Sequence, residues 1–480
     1  MSMIETTRPA HAVVEPIESP ATPEAVAVNF SKTTDPVILE SSLQQGCYSR
    51  FSVFACDPVD VFSAGDPAAE CPLDAFARKV GEYPTLAVGP DCLPFCGGWI
   101  GYIGYEAGLG LEGLSSSGRD DLSIPGLRFA LYDSAAVFDG HSNQWYAVAV
   151  DWPAPIATRR PSTSRRIDTI RRRIESAFGE TLEPPRAVRP SSPLRPNMAR
   201  QSYYSKVRRV KRHIEAGDVY QVNLTQRFTV SATASPIDIY RHLRQLSPSP
   251  YGALLSWEGA AVISSSPELF LDLRGREVTT RPIKGTRPRG ANEAEDRHRK
   301  RELDKSEKDA AELAMIVDLL RNDLGRVCSF GSVRVTTPVE IETHPTVFHR
   351  VATIKGNLAI GRSWVDLLKA SFPGGSITGA PKIRAMQIID ELEPTRRTVY
   401  CGSIGYVGLD GSLSMNIAIR TMVQTGDAIR VFAGGGIVAD SEPDDEYDEL
   451  VAKARAMLAA VGCDVAVLSK GEGVSTPQSC

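Results

Sequence analysis

The alternation of apolar and polar positions changes period along the chain. From Val37 onward, short β-branched and aromatic runs at Val37–Ser41, Arg50–Phe54, Leu127–Phe138 and Trp145–Val150 are bounded by turn-forming residues and predict strands. The stretch Gly97–Tyr105 adds a strand laced with glycines, where a second backbone or a ligand can approach closely. Past the prolines at 184, 185, 190, 193 and 196, apolar residues recur three and four apart and predict a helix over Ser202–Ala216, stopped at Gly217. Strands follow at Gln221–Val230, Ala253–Trp257, Ala261–Ser265 and Leu269–Leu273, then a long helical stretch over Glu302–Leu324. Further strands near Val333 and Val351 and helices at Trp364–Ala370 and Pro381–Glu391 lead into glycine turns that alternate with strands up to Ile437. A last amphipathic helix spans Glu442–Ala460. Strands and helices come in blocks, so the expected fold class is α+β: antiparallel β-sheets with flanking helices.

This pattern divides the chain. Residues 1–34, rich in Pro, Ala, Thr and Glu with no lasting period, are expected to be a disordered extension, and residues 35–152 an N-terminal domain. Residues 153–198 read as a solvated linker rich in Arg, Pro and Ser rather than an RNA-binding arm. Residues 199–467 form a second, larger unit, followed by a disordered tail over 468–480. With 480 residues, 42% of them hydrophobic, the chain can bury a large core. Its formal net charge of −4 argues against nucleic acid or a membrane surface as partner. Nine cysteines without repeated spacing give neither a zinc site nor a disulfide framework. Met1–Asn29 lacks the layout of a signal peptide and no run reaches the length of a membrane span, so the cytoplasm is the expected compartment.

Candidate chemistry centres on Arg281-Pro-Ile-Lys-Gly-Thr-Arg-Pro-Arg-Gly290. Apolar neighbours and the guanidinium groups of Arg281, Arg287 and Arg289 both disfavour an ammonium, which makes Lys284 a candidate nucleophile. A solvated basic turn is the competing reading. Asp309 with Glu312, and Glu446 with Glu449 and Lys453, each share a helix face. Two such faces together would suit a hard divalent cation such as Mg²⁺ held jointly with an anionic substrate, whereas each alone is an ordinary solvated helix. Phe372-Pro-Gly-Gly-Ser-Ile-Thr-Gly-Ala-Pro-Lys382 and Gly434-Gly435-Gly436 expose backbone N–H groups, Ser376 adds a hydroxyl, and Arg420 reads equally as a carboxylate grip or a cationic strand end at the surface; together the motifs favour an anion. Glu268 and His349 sit in half-apolar contexts that suit proton transfer or a structural role equally.

Taken in order, Gly217-Asp-Val-Tyr-Gln-Val-Asn-Leu224, Ser266-Pro-Glu268, Pro282-Ile-Lys-Gly-Thr286, Ile316 to Arg326, Gly375-Ser-Ile-Thr-Gly-Ala-Pro-Lys382, Cys401-Gly-Ser-Ile-Gly-Tyr406 and Gly434 to Asp440 resemble the chorismate-utilising enzymes. Ile38-Leu-Glu-Ser41 and Gly97–Glu106 look like the amino-terminal domain of anthranilate and aminodeoxychorismate synthase large subunits. The resemblance implies that Lys284 attacks C2 of chorismate while Glu268 protonates the departing C4 hydroxyl, and that ammonia then enters at C4. Lysine at 284 resembles the aminodeoxychorismate branch; anthranilate synthases typically carry alanine there, and that branch is the alternative. Gln221 stands where water-using members place a lysine, which implies ammonia as nucleophile. The resemblance further implies Mg²⁺ on Glu312 and Glu449, with Asp309 and Glu446 completing the acidic shell. Substrate contacts fall to Tyr400, Arg420, Gly434, Gly435 and Gly436, with Ser376 and Lys453 nearby, and His349 takes an orienting role. Glu40 and Ser41 fit a pocket for a tryptophan-sized effector. The chain has no glutaminase cysteine turn, so a separate glutamine amidotransferase small subunit is the expected source of ammonia.

Overall fold

The computed structural model describes residues 8–43, 49–65, 71–87, 93–179, 182–344, 347–464 and 468; all but the first residue of the tail expected over 468–480, and the first seven residues, lie outside them. Among the described residues, two large sheets organise the molecule. The larger runs Arg195–Pro196, Gln221–Ser231, Ala428–Ile437, Thr421–Thr425, Ala260–Ser266, Tyr251–Trp257, Val37–Glu40, Phe51–Ala55, Ser134–Asp139, Gln144–Asp151, Ala10–Ile17 and Leu86–Ala87. The smaller runs Ile283–Pro288, Val347–Asn357, Glu277–Arg281, Leu269–Arg274, Leu413–Asn416, Ser403–Gly408, Gly98–Ile103, Leu127–Tyr132 and Asp60–Ala64. Their ladders are antiparallel except for Ala10–Ile17 beside Leu86–Ala87, as the α+β expectation required.

Both sheets cross the boundary expected near residue 198. Val37–Glu40 pairs with Tyr251–Trp257, and Gly98–Ile103 with Ser403–Gly408. One hydrophobic core serves both parts: Phe76 meets Phe129 at 4.4 Å and Trp364 at 5.6 Å between ring centroids. All six residues of Gly98–Ile103 and of Ser403–Gly408 are buried, the mark of strands covered on both faces.

Three local expectations are corrected. Residues 10–30 are ordered: Ala10–Ile17 pairs with Gln144–Asp151, and Pro23–Phe30 is a helix capped by Thr22 that buries Val26, Ala27 and Phe30. Local composition could not reveal this, because the strand's hydrogen-bond partners lie far along the chain. The arginine-rich segment is likewise no solvated linker. Thr163–Ser176 is a helix that buries Ile167, Ile170 and Ile174, and the buried Arg166 donates to the Asp133 and Val150 carbonyls at 2.9 and 2.7 Å. Arg160 pairs with Asp133 at 2.9 Å and Arg173 with Asp57 at 3.0 Å, so the basic run is a set of anchors on the N-terminal strands. Finally, the long helix breaks at Ser306 into Glu293–Lys305 and Glu307–Gly325. Ser306 is extended and its hydroxyl accepts from the Asp309 N–H at 3.2 Å, capping the second helix.

The strand Leu127–Phe138 also divides, at Asp133: its first part joins the smaller sheet and its second the larger. Ser266-Pro267-Glu268 makes a similar passage between sheets. Such corners set side chains between the two layers, and the candidate acid lies on one of them.

Candidate active site

Lys284 lies on Ile283–Pro288, just before Gly285, whose φ of +87° places it in the left-handed region. Its Nζ donates to Gln221 Oε1 at 3.3 Å and to Glu312 Oε2 at 3.2 Å. A Cβ built on Gly436 would come within 2.9 Å of the Gln221 amide and 3.1 Å of Lys284 Nζ, so only glycine admits this approach without a shift. The expected crowding of the lysine by guanidinium groups is corrected. Arg281 pairs with Glu342 at 2.7 Å, Arg287 with Glu302 at 2.7 Å and Asp309 at 3.1 Å, and Arg289 with Asp296 at 2.6 Å, leaving a glutamate rather than an arginine against the amine.

Glu268 is 4% exposed. Burial pushes its carboxyl up to about 7, against the opposing pull of the Ser376 hydroxyl, the Lys284 charge and the Ile283 N–H. Ser376 Oγ donates to Glu268 Oε1 at 2.7 Å from the turn Gly375–Ile377. A carboxyl poised near neutrality within the field of an amine is suited to give up a proton there.

His349, 3% exposed, meets Thr286 Oγ1 through Nδ1 at 2.8 Å and the His344 ring at 5.0 Å. Burial first, then the charges of Arg420 and His344, hold its pKa well below the ordinary value, so the imidazole is neutral at pH 7. Arg420 itself has a φ of +51°. Among the described residues its guanidinium forms no ion pair, and burial lowers its pKa. A half-buried cation without a carboxylate partner is a natural seat for a substrate anion. Tyr400 stacks on Phe432 at 5.2 Å and is 4% exposed, beside Cys401 with a φ of +62°.

The helix Pro443–Ala460 brings the second acidic face to the glycine strand. Lys453 Nζ pairs with Glu449 Oε1 at 2.6 Å and donates to the Gly434 carbonyl at 3.1 Å. A Cβ on Gly435 would lie 3.1 Å from Glu446 Oε2. Lys453 chiefly, with Lys284 and Lys308 assisting, lowers the Glu449 pKa, while burial and the neighbouring Glu449 raise that of Glu446, whose Oε1 accepts from Ser441 at 2.5 Å. Glu312, Glu446, Glu449, Lys284, Lys453, Gln221 and Gly434–Gly436 therefore do gather. Asp309 lies beside them, its carboxyl carbon 2.9 Å from where a Cβ on Gly285 would stand, and its carboxylate pairs with Arg287 at 3.1 Å.

Among the described residues no three His, Cys, Asp or Glu side chains form a ready cage for a metal. Mg²⁺ needs only one or two carboxylates when substrate oxygens supply the rest, and Glu312 and Glu449, both under the field of Lys284, fit that requirement. Glu40 and Ser41 belong to other contacts. Glu40 is 2% exposed and accepts from Tyr240 at 2.6 Å and Arg244 at 2.9 Å, and Ser41 Oγ donates to the Pro250 carbonyl at 2.8 Å. The sequence reading passed over Thr286, which meets His349, and Arg397, which donates to the Ile377 and Asn223 carbonyls; the i, i+4 charges Glu393 and Arg397 just before Tyr400 were the available signal.

The model of the chorismate binding enzymes matches residues 34–459, and the chain belongs to that family. It is 39% identical over 450 residues to anthranilate synthase component 1 of Thermus thermophilus, covering 92% of this chain and 95% of that protein. It is 36% identical over 458 residues to aminodeoxychorismate synthase component 1 of Klebsiella aerogenes, covering 92% and 98%. Among solved structures, anthranilate synthase component I of Streptococcus pneumoniae superposes with a TM-score of 0.74 at 32% identity, covering 86% of this chain and 93% of that one. The chain is thus a chorismate-utilising enzyme whose relatives divide between anthranilate synthases and aminodeoxychorismate synthases. No helix among the described residues is long and apolar enough to cross a membrane.

Proposed function

We propose that this chain is the synthase component that converts chorismate and ammonia to 4-amino-4-deoxychorismate. The observation that carries the reading is a lysine amine, Lys284, set between Gln221 and Glu312 and within the field of a buried glutamate, Glu268. Lys284, once deprotonated, forms a bond to C2 of chorismate; the ring double bonds shift, and the C4 hydroxyl leaves as water with the proton of Glu268. Ammonia then bonds to C4, the double bonds return, and the C2–N bond breaks to restore Lys284. The spare proton of the incoming nitrogen returns to Glu268.

Arg420 and the backbone N–H groups of the glycine strand hold a substrate carboxylate, and neutral His349, fixed by Thr286, orients the ring. Glu312 and Glu449 would hold Mg²⁺, with Glu446 behind them. An ion held there would offset the negative charge of a substrate carboxylate and act as a Lewis acid toward the leaving oxygen. The ammonia is supplied by a separate glutamine amidotransferase subunit.

The second reading, formation of anthranilate and pyruvate, is favoured by the equally similar relatives that carry that name. Mass spectrometry of the products from chorismate, Mg²⁺ and ammonium salt decides between them. An amine of chorismate retaining its enolpyruvyl ether supports the proposal, and anthranilate with pyruvate refutes it. Replacing ammonium by glutamine should abolish turnover by the isolated chain, whereas glutamine-dependent turnover without a second protein would refute the partner assignment.

A further inference from the structure

Arg397 makes no contact with Lys284 or Glu268, yet it binds both segments that steady them. Its side chain is 2% exposed. One terminal nitrogen donates to the Ile377 carbonyl at 3.0 Å, and the other to the Asn223 carbonyl at 2.7 Å. Nε and the second terminal nitrogen also grip the Glu393 carboxylate at 2.8 and 2.6 Å. Ile377 follows Ser376, the donor to Glu268; Asn223 lies two residues beyond Gln221, the acceptor from Lys284. The two segments are joined directly where the Asn223 N–H donates to the Thr378 carbonyl at 2.8 Å.

The guanidinium is itself held from the N-terminal region. The Tyr105 ring lies 4.5 Å below it, and Glu106 accepts from the Arg397 and Thr398 N–H groups at 2.8 and 3.1 Å. Thr398 has a φ of +54° and Cys401 one of +62°, so the chain around Tyr400 is kept in a conformation that residues with a Cβ rarely adopt. An ammonium has three donors on one point, whereas this position employs a planar fork toward a carboxylate and two carbonyls at once.

We propose that Arg397 is a positioning residue of the chorismate reaction, fixing the Ser376–Glu268 and Gln221–Lys284 contacts relative to each other, with Tyr105 and Glu106 fixing it in turn. The assignment rests on the function proposed above. It makes the N-terminal region part of the catalytic apparatus through Tyr105 and Glu106, which touch Arg397 and Thr398. Displacement of catalytic groups by about 1 Å lowers rates on the order of 100-fold, so small losses of this clamp are measurable.

The test uses the full chain with chorismate, Mg²⁺ and ammonium. Arg397→Lys, which keeps the charge beside Glu393, should lower kcat by about tenfold or more while KM stays within about threefold. Combined with Ser376→Ala, it should be slower by less than the product of the two single effects, because both act in part through Glu268. Amide hydrogen exchange at Asn223 and Thr378 should quicken in Arg397→Lys. Multiplicative effects in the double variant, unchanged exchange, or a lower melting temperature with unaltered kcat would overturn the proposal. If wild type does not aminate chorismate, the functional reading fails, while the exchange measurement still decides whether the clamp exists. Should Arg397→Lys not fold, Glu393→Gln is the second probe; failure of both to fold assigns the group to the fold alone and overturns a positioning role.

Discussion

Replacing Glu268 by glutamine should make the protein less active and, at alkaline pH, more stable. The carboxyl is 4% exposed and burial raises its pKa from 4.5 to about 7. That shift corresponds to about 3 kcal/mol of preference for the neutral form in the folded state. Because the folded pKa lies above the unfolded one, the favourable contribution is complete below pH 4.5 and is lost as pH rises through 7. Glutamine never ionises and still offers an oxygen to Ser376, so it avoids the loss. Urea denaturation at a series of pH values should show Glu268→Gln approaching an advantage of about 3 kcal/mol above pH 7, shrinking steadily toward pH 4.5. Over the same range kcat should be lower by on the order of 100-fold or more, since the acid is gone. A stability difference that does not vary with pH, or a variant less stable than wild type at pH 8.5, would refute the buried-acid reasoning. A variant with normal kcat would refute the catalytic assignment.

Three further outcomes follow from the site. Lys284→Ala should reduce kcat far more than it changes chorismate affinity, and Lys284→Arg should not rescue, because a guanidinium stays protonated; peptide mapping of enzyme denaturated during turnover without ammonia should find the adduct on Lys284, and an adduct elsewhere would count against the mechanism. Glu312→Gln and Glu449→Gln should each raise the Mg²⁺ needed for half-maximal rate by about tenfold or more, measured by metal titration; unimpaired wild-type turnover in excess chelator would remove the metal from the mechanism. Gly436→Ala places a methyl group 2.9 Å from the Gln221 amide and 3.1 Å from Lys284 Nζ, so kcat/KM should fall sharply with little change in melting temperature; wild-type kinetics would show that the glycine strand yields freely.

Much of the site was legible because its chemistry is carried by residue types that are unusual in their local setting. Glu268 beside Pro267 and Leu269, Lys284 before a glycine, and three consecutive glycines after an apolar strand each break the pattern around them. What could not be read was which charges neutralise which. Arg287 and Arg289 are equivalent neighbours of Lys284 in sequence, yet Glu302, Asp309 and Asp296 pair with them. The pairing of Asp309 with Arg287 was hidden for the same reason, since helix periodicity gives a carboxylate its face and not its partner. The strand Ala10–Ile17 and the helix Thr163–Ser176 escaped for a different one: neither is self-sufficient, and each is stabilised by contacts with Gln144–Asp151 that local composition does not encode. The break at Ser306 shows a capping serine overriding helical periodicity.

The sharing of both sheets between the two ends of the chain has a consequence for biosynthesis. A nascent chain that has emerged only as far as residue 198 holds Val37–Glu40 without Tyr251–Trp257 and Gly98–Ile103 without Ser403–Gly408. Neither sheet can close until strands more than 200 or 300 residues downstream leave the ribosome, so open, largely apolar edges persist for tens of seconds at about 5–20 residues per second. The segment up to residue 198 therefore leaves its sheet edges unpaired until the later strands arrive, and residues 199–467 expressed alone would carry the complementary bare edges.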